Sequence, residues 1–193
     1  QTMARPKEFD RDEVLDRAVD LFWRNGYEAT SMADMVEALG IGRQSLYDTF
    51  GDKHALYLAA LDRYLGGPGA LGALPVDVPV RKQLRAIFQT MVDRAVAHPE
   101  RGLCMLGAAA VERCAEDDEV SKRFCRRTHE LEDAFTRRLE QAKADGEIGA
   151  HHDPRGLARY LVNALYGLQL SARAHPRHAF LDPILDVTLS VLG

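Results

Sequence analysis

Thr30-Ser31-Met32-Ala33-Asp34-Met35-Val36-Glu37-Ala38-Leu39-Gly40-Ile41-Gly42-Arg43-Gln44-Ser45-Leu46-Tyr47-Asp48-Thr49-Phe50 reads as two short helices joined by a glycine turn. The Ser31 hydroxyl is placed to cap free backbone N–H groups, and Asp34, three residues on, sits where the reciprocal acid of a capping box belongs. Met32, Met35, Val36 and Leu39 then recur at the spacing that puts apolar side chains on one helical face. Gly40 follows where a left-handed C-terminal residue is wanted. Ile41 plugs the small core from the turn, Gly42 falls at a second N-cap, and Leu46 and Phe50 point inward one turn apart. Arg43, Gln44, Ser45, Tyr47, Asp48 and Thr49 are left facing outward. Such a face suits a major groove, because Arg can fork to guanine and Gln to adenine while hydroxyls reach phosphates or base edges. The same corner also serves as an ordinary structural element, so the flanking segments carry weight.

Before the corner, Val14, Leu15, Ala18, Val19, Leu21 and Phe22 describe an amphipathic helix that stops at Asn25-Gly26. After it, Gly51-Asp52-Lys53-His54-Ala55-Leu56 opens another helix, with Asp52 as N-cap, Lys53 in the first turn, and Leu56, Leu58, Leu61 and Leu65 among the apolar positions. The run from Phe9 to Leu65 resembles the DNA-binding domain of the TetR family of bacterial regulators. The resemblance is carried by Ala18-Val19-Asp20-Leu21-Phe22, Asn25-Gly26-Tyr27-Glu28-Ala29-Thr30-Ser31, Gly40-Ile41-Gly42-Arg43-Gln44-Ser45-Leu46-Tyr47 and Phe50-Gly51-Asp52-Lys53-His54-Ala55-Leu56.

That resemblance implies an all-α fold. It places a three-helix helix-turn-helix DNA-binding domain over residues 1–51 and a helical ligand-binding and dimerisation domain over 52–193. It implies phosphate contacts from Tyr47, Lys53 and one of Thr30 or Ser31, and base reading by Arg43, Gln44, Ser45 and Thr49. Many members carry a basic residue or histidine after the tyrosine, whereas this chain has Asp48-Thr49, so no base preference is transferred. The partners implied are double-stranded operator DNA, a small-molecule effector and a second copy of the chain. The mode implied is repression relieved by the effector, without a cofactor.

Charge runs against a simple basic DNA binder. Residues 1–65 hold eight Lys or Arg against twelve Asp or Glu, a net of −4, which disfavours loose, non-specific binding. What remains is a local basic edge: Arg43, Lys53, and Arg5 and Lys7 in an N-terminal arm that could enter a minor groove. The length of 193 residues accommodates a small reading domain and a larger helical one. No signal-peptide pattern or membrane-length apolar run is seen, and Cys104, Cys114 and Cys125 lack Cys-x-x-Cys spacing, so a cytoplasmic protein with reduced thiols is expected.

Past Leu65, Gly66 to Pro79 is rich in glycine and proline and reads as a loop or hinge. Helices are then expected over Val80–His98, Cys104–Ala115, Asp118–Ala144, Pro154–Ala174 and Phe180–Leu192. The Cys104–Ala115 segment is almost wholly apolar and small, and is expected to be buried on nearly all sides. Flanked by Phe88, Met91, Met105, Phe124, His129 and Phe135, it could leave a cavity for a ligand, or simply let helices pack closely. Cys104 adds a thiol-based alternative. It follows Arg101-Gly102-Leu103 and precedes Glu112 by eight residues, a pattern similar to the Arg-Gly-Cys of electrophile- and oxidant-sensing TetR-like regulators, with Leu103 as an extra residue. His151-His152-Asp153 reads as a loop and helix start rather than a metal site, and Glu116-Asp117-Asp118-Glu119 as a helix N-terminal turn. The last two helices carry more apolar surface than one core needs, as a four-helix dimer interface would. A small helical enzyme or a pure protein-interaction module remain as rivals. The first is disfavoured because no nucleophile–base pair, phosphate loop or metal set is evident.

Overall fold

The computed structural model describes residues 9–67, 78–101 and 103–193, and among these every regular element is an α-helix. The chain divides into two compact units after Gly67.

The first unit contains α1 (Arg11–Asn25), α2 (Met32–Leu39), α3 (Arg43–Phe50) and α4 (Lys53–Gly66). The sequence places the domain boundary after Gly51; α4 packs along α1 and clusters with the first unit. Each helix begins where a short polar side chain or glycine can start it. Asp10 accepts from the Asp12 and Glu13 amides, Asp52 accepts from Ala55, and Ser31 and Asp34 complete the expected capping box in both directions. Gly40 ends α2 at φ +67°, a left-handed conformation that a side chain would strain. Val14, Leu15, Ala18, Phe22, Met35, Leu39, Ile41, Leu46, Phe50, Leu56, Tyr57 and Leu61 form the buried interior of this unit.

One arginine locks the corner onto α1 and another locks α4 onto the same helix. Arg17 donates to the Leu39 carbonyl at 2.9 Å, satisfying an orphan acceptor at the end of α2. Arg63 of α4 forks onto Asp16 of α1 at 2.8 and 2.9 Å, the bidentate geometry that adds orientation to charge. Much of the acidity noted in the sequence is therefore engaged away from the outward face of α3: Asp10, Asp34 and Asp52 cap helices, and Glu13, Asp12 and Asp16 pair with arginines.

The second unit contains α5 (Val80–Ala97), α6 (Met105–Arg113), α7 (Asp118–Ala144), α8 (Pro154–Ala174) and α9 (His178–Ser190). Helices α7 and α8 pack along each other, and α5 packs on α8 and α9. Phe88, Phe135, Leu139, Leu161, Leu181, Leu185 and Leu189 are wholly enclosed in the shared core. Asp117 and Asp153 cap α7 and α8 as the sequence suggested for these helix starts. One expectation fails: α6 is not buried on nearly all sides. Met105, Leu106, Gly107 and Ala109 face inward, but Val111 is 79% exposed and Glu112 and Ala115 lie at the surface. Apolar composition alone does not specify how many neighbours surround a helix, and α6 is covered along only one side within this unit.

The start of α5 has no side-chain cap of its own. Glu147, just beyond α7, accepts from the Val80 amide in its place and pairs with Arg138, which also donates to Gln83 and to the Val78 carbonyl. Arg138 is 7% exposed, so this network satisfies a buried guanidinium and fixes the entry to α5.

Candidate nucleic-acid interface

Helix α3 presents Arg43, Gln44, Tyr47 and Asp48 to solvent, with Ser45 and Thr49 half-buried at the edges. Leu46 and Phe50 anchor the opposite face, at 0% and 8% exposure. Gly42 provides no side-chain cap, so the α3 N-terminus is not closed by a side chain of its own. The Arg43 guanidinium stands 5.8 Å from the centre of the Tyr47 ring, and the Gln44 amide donates to Asp48 at 2.9 Å. The outward face is therefore organised rather than a set of independent side chains.

Lys53 opens α4 with its ammonium 4.4 Å from the centre of the Tyr27 ring, a cation–π contact that orients the charge. Arg11 similarly lies 5.3 Å from the centre of Phe50. Of the two hydroxyl residues considered at the start of α2, Thr30 is buried and donates to the Gly26 carbonyl at 2.6 Å, whereas Ser31 is exposed. Arg5 and Lys7 lie outside the described residues. The four-residue spacing of Gln44 and Asp48 on one helix is the sequence signal for their bond. The contacts of Arg17 with Leu39 and of Arg63 with Asp16 have no local signal, because these partners lie far along the chain.

In the second unit the residues suggested for a ligand separate into distinct environments. Phe88 and Phe135 are closed within the core at 0% exposure, Met105 is buried at 2%, and His129 is exposed on α7. Met91, Cys104 and Phe124 gather instead around Tyr166 and Gln169 of α8, neither of which the sequence singled out. Gln169 accepts from the Cys104 amide at 3.0 Å and directs its own amide at the Met91 sulfur at 4.0 Å. Phe124 packs against Tyr166 at 5.3 Å between ring centres. Burial pushes the Tyr166 hydroxyl above the ordinary phenol range, so it remains a neutral polar group. Cys104 is the N-cap of α6, its sulfur accepting from the Gly107 amide at 3.2 Å. At Cys114, burial and then the neighbouring Cys125 push the thiol above its ordinary range.

The corner, its outward polar face and the all-helical second unit define a helix-turn-helix transcription regulator. Residues 14–60 match the model for bacterial regulatory proteins of the tetR family, and residues 80–186 match the tetracyclin repressor-like C-terminal domain. The chain belongs to the TetR family, a family of regulators and not of enzymes. It is 41% identical to the uncharacterized HTH-type transcriptional regulator YezE of Bacillus subtilis, covering 98% of this chain and 100% of that protein. It is 32% identical to the transcriptional repressor ComR of Escherichia coli over 90% of this chain and 84% of ComR. Among solved structures it superposes on CifR, a TetR family regulator carrying cysteine substitutions and complexed with 26 bp double-strand operator DNA. There the TM-score is 0.86 with 30% identity, over 98% of this chain and 100% of that one. No helix among the described residues is long and apolar enough to cross a membrane.

Proposed function

We propose that this protein is a repressor that binds a palindromic operator as a homodimer and is released by a small-molecule inducer, acting in the cytoplasm where operator DNA lies. The observation that carries the reading is the outward face of α3, with Arg43, Gln44, Tyr47 and Asp48 displayed on a corner fixed by Gly40 and Arg17. Relatives named as a repressor and as an operator-bound regulator support it. Arg43, Gln44, Ser45 and Thr49 read base edges, while Ser31, Tyr47 and Lys53 hold phosphates and set the register. Thr30 supports Ser31 from within, and the arm bearing Arg5 and Lys7 adds contacts in a neighbouring minor groove.

Two reading helices related by a twofold axis engage half-sites about one DNA turn apart, roughly 35 Å, or a small multiple of that. The inducer acts by preferring a state whose head spacing does not fit the operator, a population shift limited by its differential affinity for the two states. Its site lies in the second unit. The polar and aromatic group of Met91, Cys104, Phe124, Tyr166 and Gln169, which combines apolar surface with hydrogen-bonding atoms, supports this placement.

The test is binding of the full chain to duplex DNA from upstream of its own gene, measured by fluorescence anisotropy. Arg43→Ala is expected to weaken binding by on the order of tenfold, since a bidentate arginine–guanine pair discriminates by about 1–3 kcal/mol. Failure of the unmodified protein to bind any such fragment at low salt overturns the reading. A second reading, in which Cys104 senses electrophiles or oxidants, is favoured by one observation: an amide N–H at the α6 N-terminus points at its sulfur, an arrangement that stabilises a thiolate. Alkylation of Cys104 without loss of operator affinity rejects it.

A further inference from the structure

The reading helix carries a carboxylate at Asp48, next to where a polyanion would lie, and that carboxylate is exposed. A bare negative charge there opposes DNA binding at every sequence. The structure shows what it touches: Gln44, one turn earlier, donates from Nε2 to Asp48 Oδ1 at 2.9 Å. An ionised carboxylate only accepts, so the group of Gln44 that faces it must be the NH2 and not the carbonyl oxygen.

This sets the orientation of the Gln44 amide. One of its two N–H hydrogens is engaged by Asp48. When the hydrogen given to Asp48 is the one trans to Oε1, the other hydrogen and Oε1 remain together on the free edge of the amide, as a donor–acceptor pair. That pair is complementary to the major-groove edge of adenine, where N7 accepts and the N6 amino group donates. An untethered glutamine can turn its amide over and offer the pair in reverse order, which blurs the readout.

Resting on the DNA-binding reading above, we propose that Asp48 is a specificity-determining positioning residue: it holds the Gln44 amide in the orientation that reads adenine, without itself contacting a base. Charge is not required for this role; an acceptor at that position is. As groove water is displaced on binding, the bond strengthens relative to its state in free protein, so its effect is expressed in the complex.

The experiment is selection of duplexes from a randomised palindromic pool by the full-length protein and its variants, followed by affinity measurements on single-base variants of the enriched site. The unmodified protein is expected to enrich a motif with an adenine position in each half-site whose preference disappears in Gln44→Ala. Asp48→Ala should reduce discrimination at that same position by up to about twofold, as loss of a helical four-residue side-chain pair would. Asp48→Asn, which keeps an acceptor and removes the charge, should preserve it. The double variant Gln44→Ala, Asp48→Ala should discriminate no worse there than Gln44→Ala alone. If Asp48→Ala changes preference at a different base pair, the carboxylate reads a base directly and the proposal is wrong. It is equally wrong if Asp48→Ala and Asp48→Asn tighten binding to all sequences alike with a steeper salt dependence, the signature of bare charge. Absence of any enriched motif with the unmodified protein would instead overturn the DNA-binding reading itself. Far-UV circular dichroism of each variant checks that α3 is retained, and the exposure of both side chains favours this.

Discussion

Asp16 and Arg63 show how a single residue pair supports a reading head that is net negative. The Arg63 fork holds the Asp16 carboxyl below the usual carboxylate range, mainly through its hydrogen bonds. The Ser31 contacts do the same for Asp34 within the capping box. A carboxyl whose folded pKa is depressed contributes stability that is present above its unfolded value, near 3.9, and is lost as pH falls through the folded value. The melting temperature of the head is therefore expected to drop on acidification below about pH 4, and Asp16→Asn should flatten that dependence. Trp23, the sole tryptophan, reports on it directly, because it lies in α1 with its ring 5.1 Å from that of Tyr64 in α4. An identical acid profile for the parent and Asp16→Asn would show that the pair contributes nothing. The pair is exposed, so its effect on melting is modest.

At the scale of an element, the ends of α2 decide how α3 is presented. Ser31→Ala removes one half of the capping box and should cost about 1 kcal/mol. Gly40→Ala should cost roughly 1–2 kcal/mol, because a side chain in the left-handed region is strained. A Cβ there would also stand 3.2 Å from the Arg17 guanidinium that seals α2 against α1. Both losses are measurable as shifts in urea midpoint followed by Trp23 fluorescence, and operator affinity should fall further in Gly40→Ala than in Ser31→Ala because the angle of the corner changes. In the second unit, Glu147→Ala removes the substitute cap of α5 and the carboxylate partner of buried Arg138 together. A loss of about 1.5–3 kcal/mol is expected, the range for hydrogen bonds to charged groups. Faster amide hydrogen exchange at the first turn of α5 would locate it; unchanged protection there would contradict the capping role. These helix boundaries were largely legible in the chain. Asp10 was missed as a cap, and α9 begins at His178 rather than Phe180.

Across the whole molecule, each unit encloses its own core, and the second displays apolar side chains that its core does not use. On α8, Tyr160 and Leu170 are 40% and 56% exposed; on α9, Phe180 and Val187 are 39% and 69% exposed. Along α8 the exposed positions Tyr160, Asn163, Gly167, Leu170 and Ala174 recur at alternating three- and four-residue intervals, the seam of a helix that meets another. Light scattering should therefore find a dimer, and Leu170→Asp with Val187→Asp should convert it to a folded monomer with strongly reduced operator affinity. A parent protein that is monomeric at micromolar concentration would remove the twofold reading of the operator. The aromatic candidates of the second unit were the least legible part. Phe88 and Phe135 proved to be core and His129 surface, because helical spacing says which side chains share a face but not what lies opposite that face.

The helix-turn-helix corner, its capping box, its left-handed glycine and the outward set Arg43, Gln44, Ser45, Tyr47, Asp48 and Thr49, of which Ser45 and Thr49 are half-buried, could be inferred without coordinates, because each depends on residues within one or two turns of the chain. Long-range contacts could not. The fork of Arg63 on Asp16, the seal of Arg17 on Leu39, the attachment of α4 to the head, and the meeting of Cys104 with Gln169 join residues remote in sequence. Such pairings depend on how helices cross, and crossing is set by packing of complete side-chain surfaces rather than by any local pattern.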